Sequence, residues 1–116
     1  MRMPTVLVIA RDWALRAGVR AELREQAIHA LGMDSLDQAA EAIAAGEMPA
    51  ALVIEAISEI AGNPAAEALI ARVPTVLIAS RTQTLPLPAA IVLYRPVRVG
   101  EVVRSVRELL RRGHAV

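Results

Sequence analysis

Apolar residues along the chain form five short runs, most of them rich in valine, isoleucine or leucine. The runs are VLVI (6–9), AIHAL (27–31), ALVI (51–54), TVLIAS (75–80) and AIVLY (90–94). Short continuous apolar runs of this kind are typical of strands that are buried on both faces of a sheet. We therefore predict five strands at these positions, of which the second, with its histidine and two alanines, is the weakest.

Amphipathic helices are predicted after the first run and at the end of the chain. Leu15, Val19 and Leu23 recur four residues apart, with arginine and glutamate between them. Asp12 precedes this pattern and can act as its N-cap. From 99 to 112, valines and leucines form a second apolar stripe, which predicts the last helix.

Capping residues mark two further helices in the middle of the chain. Ser35 and Gln38 have the spacing of a capping box, and the helix that they open should end near Gly46. Asn63 followed by Pro64 places a good N-cap before a proline in the first helical turn. Both helices therefore lie between predicted strands.

The alternation of strands and helices predicts an α/β fold, with a parallel sheet covered by helices on both faces. Segment 81–90, RTQTLPLPAA, is the exception, since a fourth helix is due there. Pro86 and Pro88 exclude a regular helix over most of that length. With no internal repeat and no linker in 116 residues, we expect one domain spanning 1–116.

Composition narrows the possible functions. The chain is 55% hydrophobic, but no apolar stretch approaches the roughly 20 residues that cross a bilayer. The start, MRMPTVLVIA, does not have the pattern of a signal peptide. Cysteine is absent, which excludes disulfides and thiolate chemistry. We therefore expect a soluble cytoplasmic protein with no membrane contact.

The pattern resembles the receiver domain of two-component response regulators. The most specific stretch is LYRPVRVGEVVRSVRELLRR (93–112), in which Arg95-Pro96 stands where that family has Lys-Pro before its last helix. The resemblance implies a doubly wound, flavodoxin-like sheet of five parallel strands in the order 2-1-3-4-5, here with the fourth helix shortened or missing.

The same resemblance indicates where the family's phosphorylation site falls in this chain. Glu55, at the end of the third strand, occupies the position of the phosphoacceptor aspartate. Ala10 and Arg11 occupy the positions of the two carboxylates that bind Mg²⁺. Ala79 falls on the position of a threonine or serine hydroxyl, with Ser80 one place further on.

These replacements predict a site that has lost its chemistry. Aspartyl phosphorylation needs a metal that neutralises the phosphoryl oxygens, and Mg²⁺ is usually held by carboxylates. Asp12 is interpreted as a helix cap and not as a metal ligand. We expect no metal site, no cofactor and no enzymatic activity.

A different arrangement is predicted in place of the metal site. In the implied strand order, Arg11 and Glu55 lie at neighbouring strand ends, and Arg95 with Pro96 approaches from the fifth strand. We therefore interpret Glu55 as a salt-bridged carboxylate. Two alternatives remain open: Glu55 is an exposed charge at a strand end, or Arg11 and Arg95 together bind an anion.

A surface for protein contact is expected around the fifth strand. Without a full fourth helix, apolar residues there should stay near the surface, and arginines of the last helix would form the rim. The apolar residues are Leu85, Leu87, Ile91, Leu93 and Val97, and the rim residues are Arg104, Arg107 and Arg111. We predict a homodimer, or a heterodimer with a similar fold, through this surface.

The function predicted from these features is that of a stand-alone pseudo-receiver domain. It would act by contact with a histidine kinase, another regulator or a second copy of itself, without aspartyl phosphorylation. The alternatives are a sensor of a small anionic ligand and a response regulator that is phosphorylated on Glu55. Nucleic-acid binding is disfavoured by the net charge of +1 and by the lack of aromatic residues.

Overall fold

Strands and helices alternate along residues 3–55, 63–81 and 89–113, which are the residues that the computed structural model describes. The strands are β1 (Thr5–Ile9), β2 (His29–Met33), β3 (Ala51–Glu55), β4 (Thr75–Ala79) and β5 (Ile91–Tyr94). The helices are α1 (Trp13–Glu25), α2 (Leu36–Ala44), α3 (Pro64–Arg72) and α4 (Val99–Gly113). Within the described part of the chain, none of the helices is long and apolar enough to cross a membrane.

The strands form one sheet in the order β2-β1-β3-β4-β5, and every pair is parallel. This confirms the fold class and the strand order that the sequence predicted. The order places β1 and β4 on either side of β3, which is the central strand. The carboxyl ends of the strands therefore meet at one edge of the sheet, around the end of β3.

Two apolar layers cover the two faces of the sheet. On one face, side chains from alternate strand positions pack with Val19 and Leu23 of α1 and with the apolar stripe of α4. On the other face, the remaining strand positions pack with α2 and with Ala66 and Ile70 of α3. The strands of the centre are buried on both faces, as their continuous apolar runs predicted.

The three predicted N-caps form as expected. The carboxylate of Asp12 accepts hydrogen bonds from two main-chain N–H groups in the first turn of α1. The hydroxyl of Ser35 accepts from the N–H of Gln38, and the side chain of Asn63 accepts from two N–H groups of α3. Each cap pairs donors that would otherwise lack a partner at a helix start.

The second strand lies two residues later than predicted. The sequence placed it at 27–31, whereas β2 covers His29–Met33. Ala27 has a φ of 61° and its N–H donates to the carbonyl of Arg24, so it still belongs to the turn that closes α1. A left-handed residue at a helix end is common, but alanine gives no sequence signal for it.

The segment before β5 is described only in part. The expected interruption of the fourth helix falls mainly on 82–88, and Leu85 and Leu87 of the predicted contact surface lie outside the described residues. Arg81, Ala89 and Ala90, at the two ends of this gap, are not helical. β5 follows as an outer strand of the sheet, and its burial alternates along the strand.

Candidate functional site

Glu55 lies at the carboxyl end of the central strand and is buried, with 5% of its surface exposed. Its neighbour in β4 is Ile78, which belongs to the layer under α1 and α4. The low exposure argues against the alternative in which Glu55 is an exposed charge at a strand end. A carboxylate at this depth needs hydrogen-bond partners, because an unpaired buried charge is strongly unfavourable.

Both oxygens of the Glu55 carboxylate have partners. Oε1 accepts hydrogen bonds from the main-chain N–H groups of Arg11 (2.9 Å) and Asp12 (3.2 Å). Oε2 lies 2.6 Å from Nη2 of Arg95 in an ion pair. Two strand ends and the β5–α4 connection are thereby joined through one side chain.

The contact between Arg11 and Glu55 is made by the main chain of Arg11. The sequence predicted the guanidinium of Arg11 in this role and gave no indication of the Asp12 N–H as a second donor. The chain turns between β1 and α1, so these two N–H groups belong neither to the strand ladder nor to the helix. Such N–H groups need an acceptor when they are partly buried, and Glu55 supplies it.

Arg95 reaches Glu55 from the connection between β5 and α4. Its main-chain N–H donates to the carbonyl of Ala79 (2.9 Å), which continues the pairing of β4 and β5 one residue beyond β5. The bond from Arg95 to Pro96 is cis. The side chain of Arg95 is 46% exposed, so the ion pair has one buried partner and one partner in contact with solvent.

The positions that resemble metal ligands hold other chemistry. Ala10 is buried, and its carbonyl accepts a hydrogen bond from Nη1 of Arg16 at 2.5 Å. The nearby carboxylate of Asp12 is the N-cap of α1. Among the described residues, no group of three histidine, cysteine, aspartate or glutamate side chains could hold a metal ion.

The remaining predicted site residues lie at the same edge of the sheet. Ala79 is buried in the layer that β4 shares with α2 and α3, and Ser80 follows it in a half-buried position. Pro96 helps to line a pocket of about 610 Å³ beside the ion pair. The pocket residues are Asp12, Ala14, Leu15, Glu55, Arg95, Pro96, Val97 and Val99.

Comparison with known proteins supports the assignment of the fold. Neither a protein-family model nor a curated protein matches the sequence. Among solved structures, the receiver domain of the Francisella response regulator 1452 matches with a TM-score of 0.77 and 17% identity, over 95% of this chain and 98% of that chain. The chain has the receiver-domain fold.

Two further structures give the same result. A response regulator receiver protein from Burkholderia phymatum matches with a TM-score of 0.69 and 20% identity, over 93% of this chain and 95% of that chain. A response regulator from Thermotoga maritima matches with a TM-score of 0.70 and 13% identity, over 95% and 99%. At these identities the likeness concerns the receiver fold, and the chemistry of the site must be argued from this chain.

The predicted contact surface of this receiver fold differs in detail from the expectation. Leu93 and Val97 are half-buried and pack against the layer under α1 and α4. Val92 and Tyr94 are the more exposed residues of β5, at 40% and 46%, and the guanidinium of Arg81 lies 5.8 Å from the centre of the Tyr94 ring. Ile91 and Leu93, which the sequence placed near the surface, are half-buried, whereas the more exposed Val92 and Tyr94 were not among the predicted contact residues.

The arginines of α4 lie on its exposed side, as predicted, and some are already paired within the helix. The predicted rim residues Arg104, Arg107 and Arg111 are all exposed. Glu108 forms ion pairs with Arg111 and, at 3.3 Å, with Arg112. The hydrogen bond from Arg111 and its charge lower the pKa of the Glu108 carboxyl below its ordinary value.

Proposed function

We propose that this protein is a pseudo-receiver that works in signalling by protein–protein contact, without aspartyl phosphorylation. The observation that carries the proposal is the state of Glu55, whose two carboxylate oxygens accept from two main-chain N–H groups and from Arg95. A carboxylate held in this way is already paired as a structural anion. Because both oxygens are engaged in contacts within the chain, we propose a structural role for Glu55 and not that of a nucleophile.

The surrounding residues support the same conclusion. Phosphoryl transfer relies on positioning and on metal ions that neutralise the charge of the phosphoryl oxygens. Ala10 offers only a methyl group, and Arg11 brings a positive charge to the second metal position. The proposal therefore includes no metal, no cofactor and no catalytic step.

The ion pair also suggests how such a domain signals. Glu55 ties the end of β3 to Arg95, and Arg95 leads directly into α4. Because this link does not depend on a phosphoryl group, we propose that it favours one arrangement of the β5–α4 side of the molecule in all conditions. The domain would then present a constant contact surface to a histidine kinase, another regulator or a second copy of itself, in the cytoplasm.

The test is a phosphorylation assay with a small-molecule phosphodonor and Mg²⁺, read by intact mass. We expect no mass increase of a phosphoryl group, while a receiver domain with an aspartate at this position serves as the positive control. In parallel, Mg²⁺ with beryllofluoride should leave the NMR signals of the Arg11 and Asp12 amides unchanged. A phosphoryl adduct that disappears in Glu55→Gln would overturn the proposal in favour of a response regulator phosphorylated on Glu55.

A second candidate is a sensor of a small anionic ligand. This function is favoured by the pocket of about 610 Å³ beside the ion pair, which the half-exposed Arg95 helps to line. A ligand that binds only the folded state raises its stability in proportion to the logarithm of ligand concentration. If the sensor function is correct, phosphate or nucleotides should raise the melting temperature of the wild type and leave that of Arg95→Gln unchanged. If it is not, they should raise the melting temperature of neither protein.

A further inference from the structure

The sheet has two outer strands, and the pairing shows which main-chain groups point away from it. In β2, the N–H of His29 donates to the carbonyl of Pro4 (2.9 Å), so His29 faces β1. Main-chain groups of successive residues in a strand point to opposite sides. Ala30 and Gly32 therefore face outward at this edge of the sheet.

Arginines from α1 protect the β2 edge. Nη2 of Arg24 donates to the outward carbonyl of Ala30 at 3.2 Å. The side chains of Arg16 and Arg20 lie directly against Gly32, since a Cβ atom there would come within 3.1 Å of Arg16 Cγ and 2.6 Å of Arg20 Cδ. Charged side chains at an outer strand are a common protection against the addition of a further strand.

The β5 edge has a different character. The N–H of Arg95 donates to the carbonyl of Ala79, so Arg95 and the alternate residues before it face β4. The main-chain groups of Ala90, Val92 and Tyr94 therefore face outward. Among the described residues, no side chain forms a hydrogen bond with these outward groups, in contrast to the β2 edge.

The composition of β5 also favours strand addition. Its four residues, IVLY, carry no charge and have high β-propensity. Val92 and Tyr94 are 40% and 46% exposed. An outer strand that is exposed, uncharged and apolar is the kind of edge that pairs with another chain.

We propose that β5 pairs with β5 of a second copy of this chain, in antiparallel orientation about a two-fold axis at Val92. This register pairs Val92 with the partner's Val92, and it pairs Ala90 with the partner's Tyr94 and Tyr94 with the partner's Ala90. It uses all three outward residues of each strand. The two sheets then become one continuous sheet, which extends the proposed function by naming its protein partner.

Side chains support a second copy as the occupant. In this register, the large ring of Tyr94 lies across from the partner's Ala90, whose side chain is small. Leu93 lies across from the partner's Ile91. The apolar pair falls beside a groove of about 300 Å³ between β5 and α4, which is lined by Ile91, Leu93, Glu101, Arg104, Ser105 and Glu108. Residues 90–94 include no charged side chain, so the paired segments themselves place no like charges directly opposite each other.

The test compares Val92→Pro with Val92→Thr by sedimentation equilibrium. Proline removes the outward N–H of residue 92, which forms no hydrogen bond with another described residue, and such positions of an outer strand tolerate proline. Threonine keeps both the N–H and the shape. We expect a dimer for the wild type and for Val92→Thr, and a dissociation constant about tenfold or more higher for Val92→Pro, because the symmetric pair loses two hydrogen bonds.

A second measurement covers the case in which the proline variant does not fold. In the wild type, hydrogen exchange of the Val92 and Tyr94 amides should slow as protein concentration rises, while that of Gly32, at the protected edge, should not change. Edge pairing is overturned by a wild-type monomer at high micromolar concentration, by a dimer that Val92→Pro leaves intact when folded, or by unchanged exchange at Val92. None of these results bears on the phosphorylation assay, so the two proposals fail separately.

Discussion

Replacing Glu55 by alanine tests whether this side chain holds the edge of the sheet together. The substitution removes the acceptor of the Arg11 and Asp12 main-chain N–H groups and the partner of Arg95. Glu55 is not one of the apolar residues that form the two layers. The change in the free energy of unfolding therefore reports mainly on the three polar contacts.

The magnitude follows from the exposure of each partner. Leaving a buried donor without an acceptor costs about 1–3 kcal/mol. Arg11 and Asp12 are exposed residues, so water can reach their N–H groups in part, and we take about 1 kcal/mol for each. The Arg95 side chain is 46% exposed, and solvent screening limits its share to about 0–1 kcal/mol. We expect a total loss of about 2–3 kcal/mol.

Urea unfolding, followed by circular dichroism, measures this loss. With a slope of about 1–3 kcal/mol/M for a small protein, the midpoint should fall by about 0.7–3 M while the slope stays constant. Glu55→Gln should lose less, because its amide oxygen can still accept from the two N–H groups. The matched control is Glu108→Ala, which also removes a glutamate paired with two arginines, but on the exposed side of α4.

The control separates burial from pairing. Solvent screens exposed ion pairs and leaves them little effect on stability, so Glu108→Ala should shift the urea midpoint far less than Glu55→Ala does. If Glu55→Ala has an equally small effect, the contacts at Glu55 contribute nothing measurable to the free energy of unfolding. The proposal of a permanently paired pseudo-receiver site would then lose its physical basis.

Two further predictions concern α1 and α4. Gly18→Ala should lower stability by about 1 kcal/mol, although alanine is the better helix former. Its Cβ would lie 2.8 Å from Cγ2 of Val99, a β-branched side chain with little freedom to move. A variant more stable than the wild type would contradict this packing. The carboxyl of Glu108 should titrate below 4.5 in an NMR experiment, because Arg111 donates a hydrogen bond to it. Its contribution to stability is present above pH 4.5 and is lost as the pH falls through the lowered pKa. Arg111→Gln should raise that pKa toward 4.5, and an unchanged value would show that Arg111 is not the cause.

Features with local causes could be predicted from the amino-acid sequence. The central strands were evident because a strand that is covered on both faces needs a continuous apolar run. The caps at Asp12, Ser35 and Asn63 were evident because a capping side chain acts on N–H groups two or three residues away. The strand order came from the resemblance to receiver domains, and the structure confirms it.

The details that decide the site and the edges needed the tertiary structure. Which part of Arg11 meets Glu55 depends on the turn of the chain between β1 and α1, and side-chain types do not encode that turn. β2 begins two residues after its predicted start because Ala27 adopts a left-handed conformation, which an alanine in the sequence does not predict. The exposed positions of β5 depend on the parity of its pairing with β4, and a shift of one residue exchanges the two faces. The sequence by itself determined the elements and the residue types at the end of each strand, because those follow from short-range patterns. Only the assembled sheet decided which groups touch, because contacts such as that between Glu55 and Arg95 join residues that are distant along the chain.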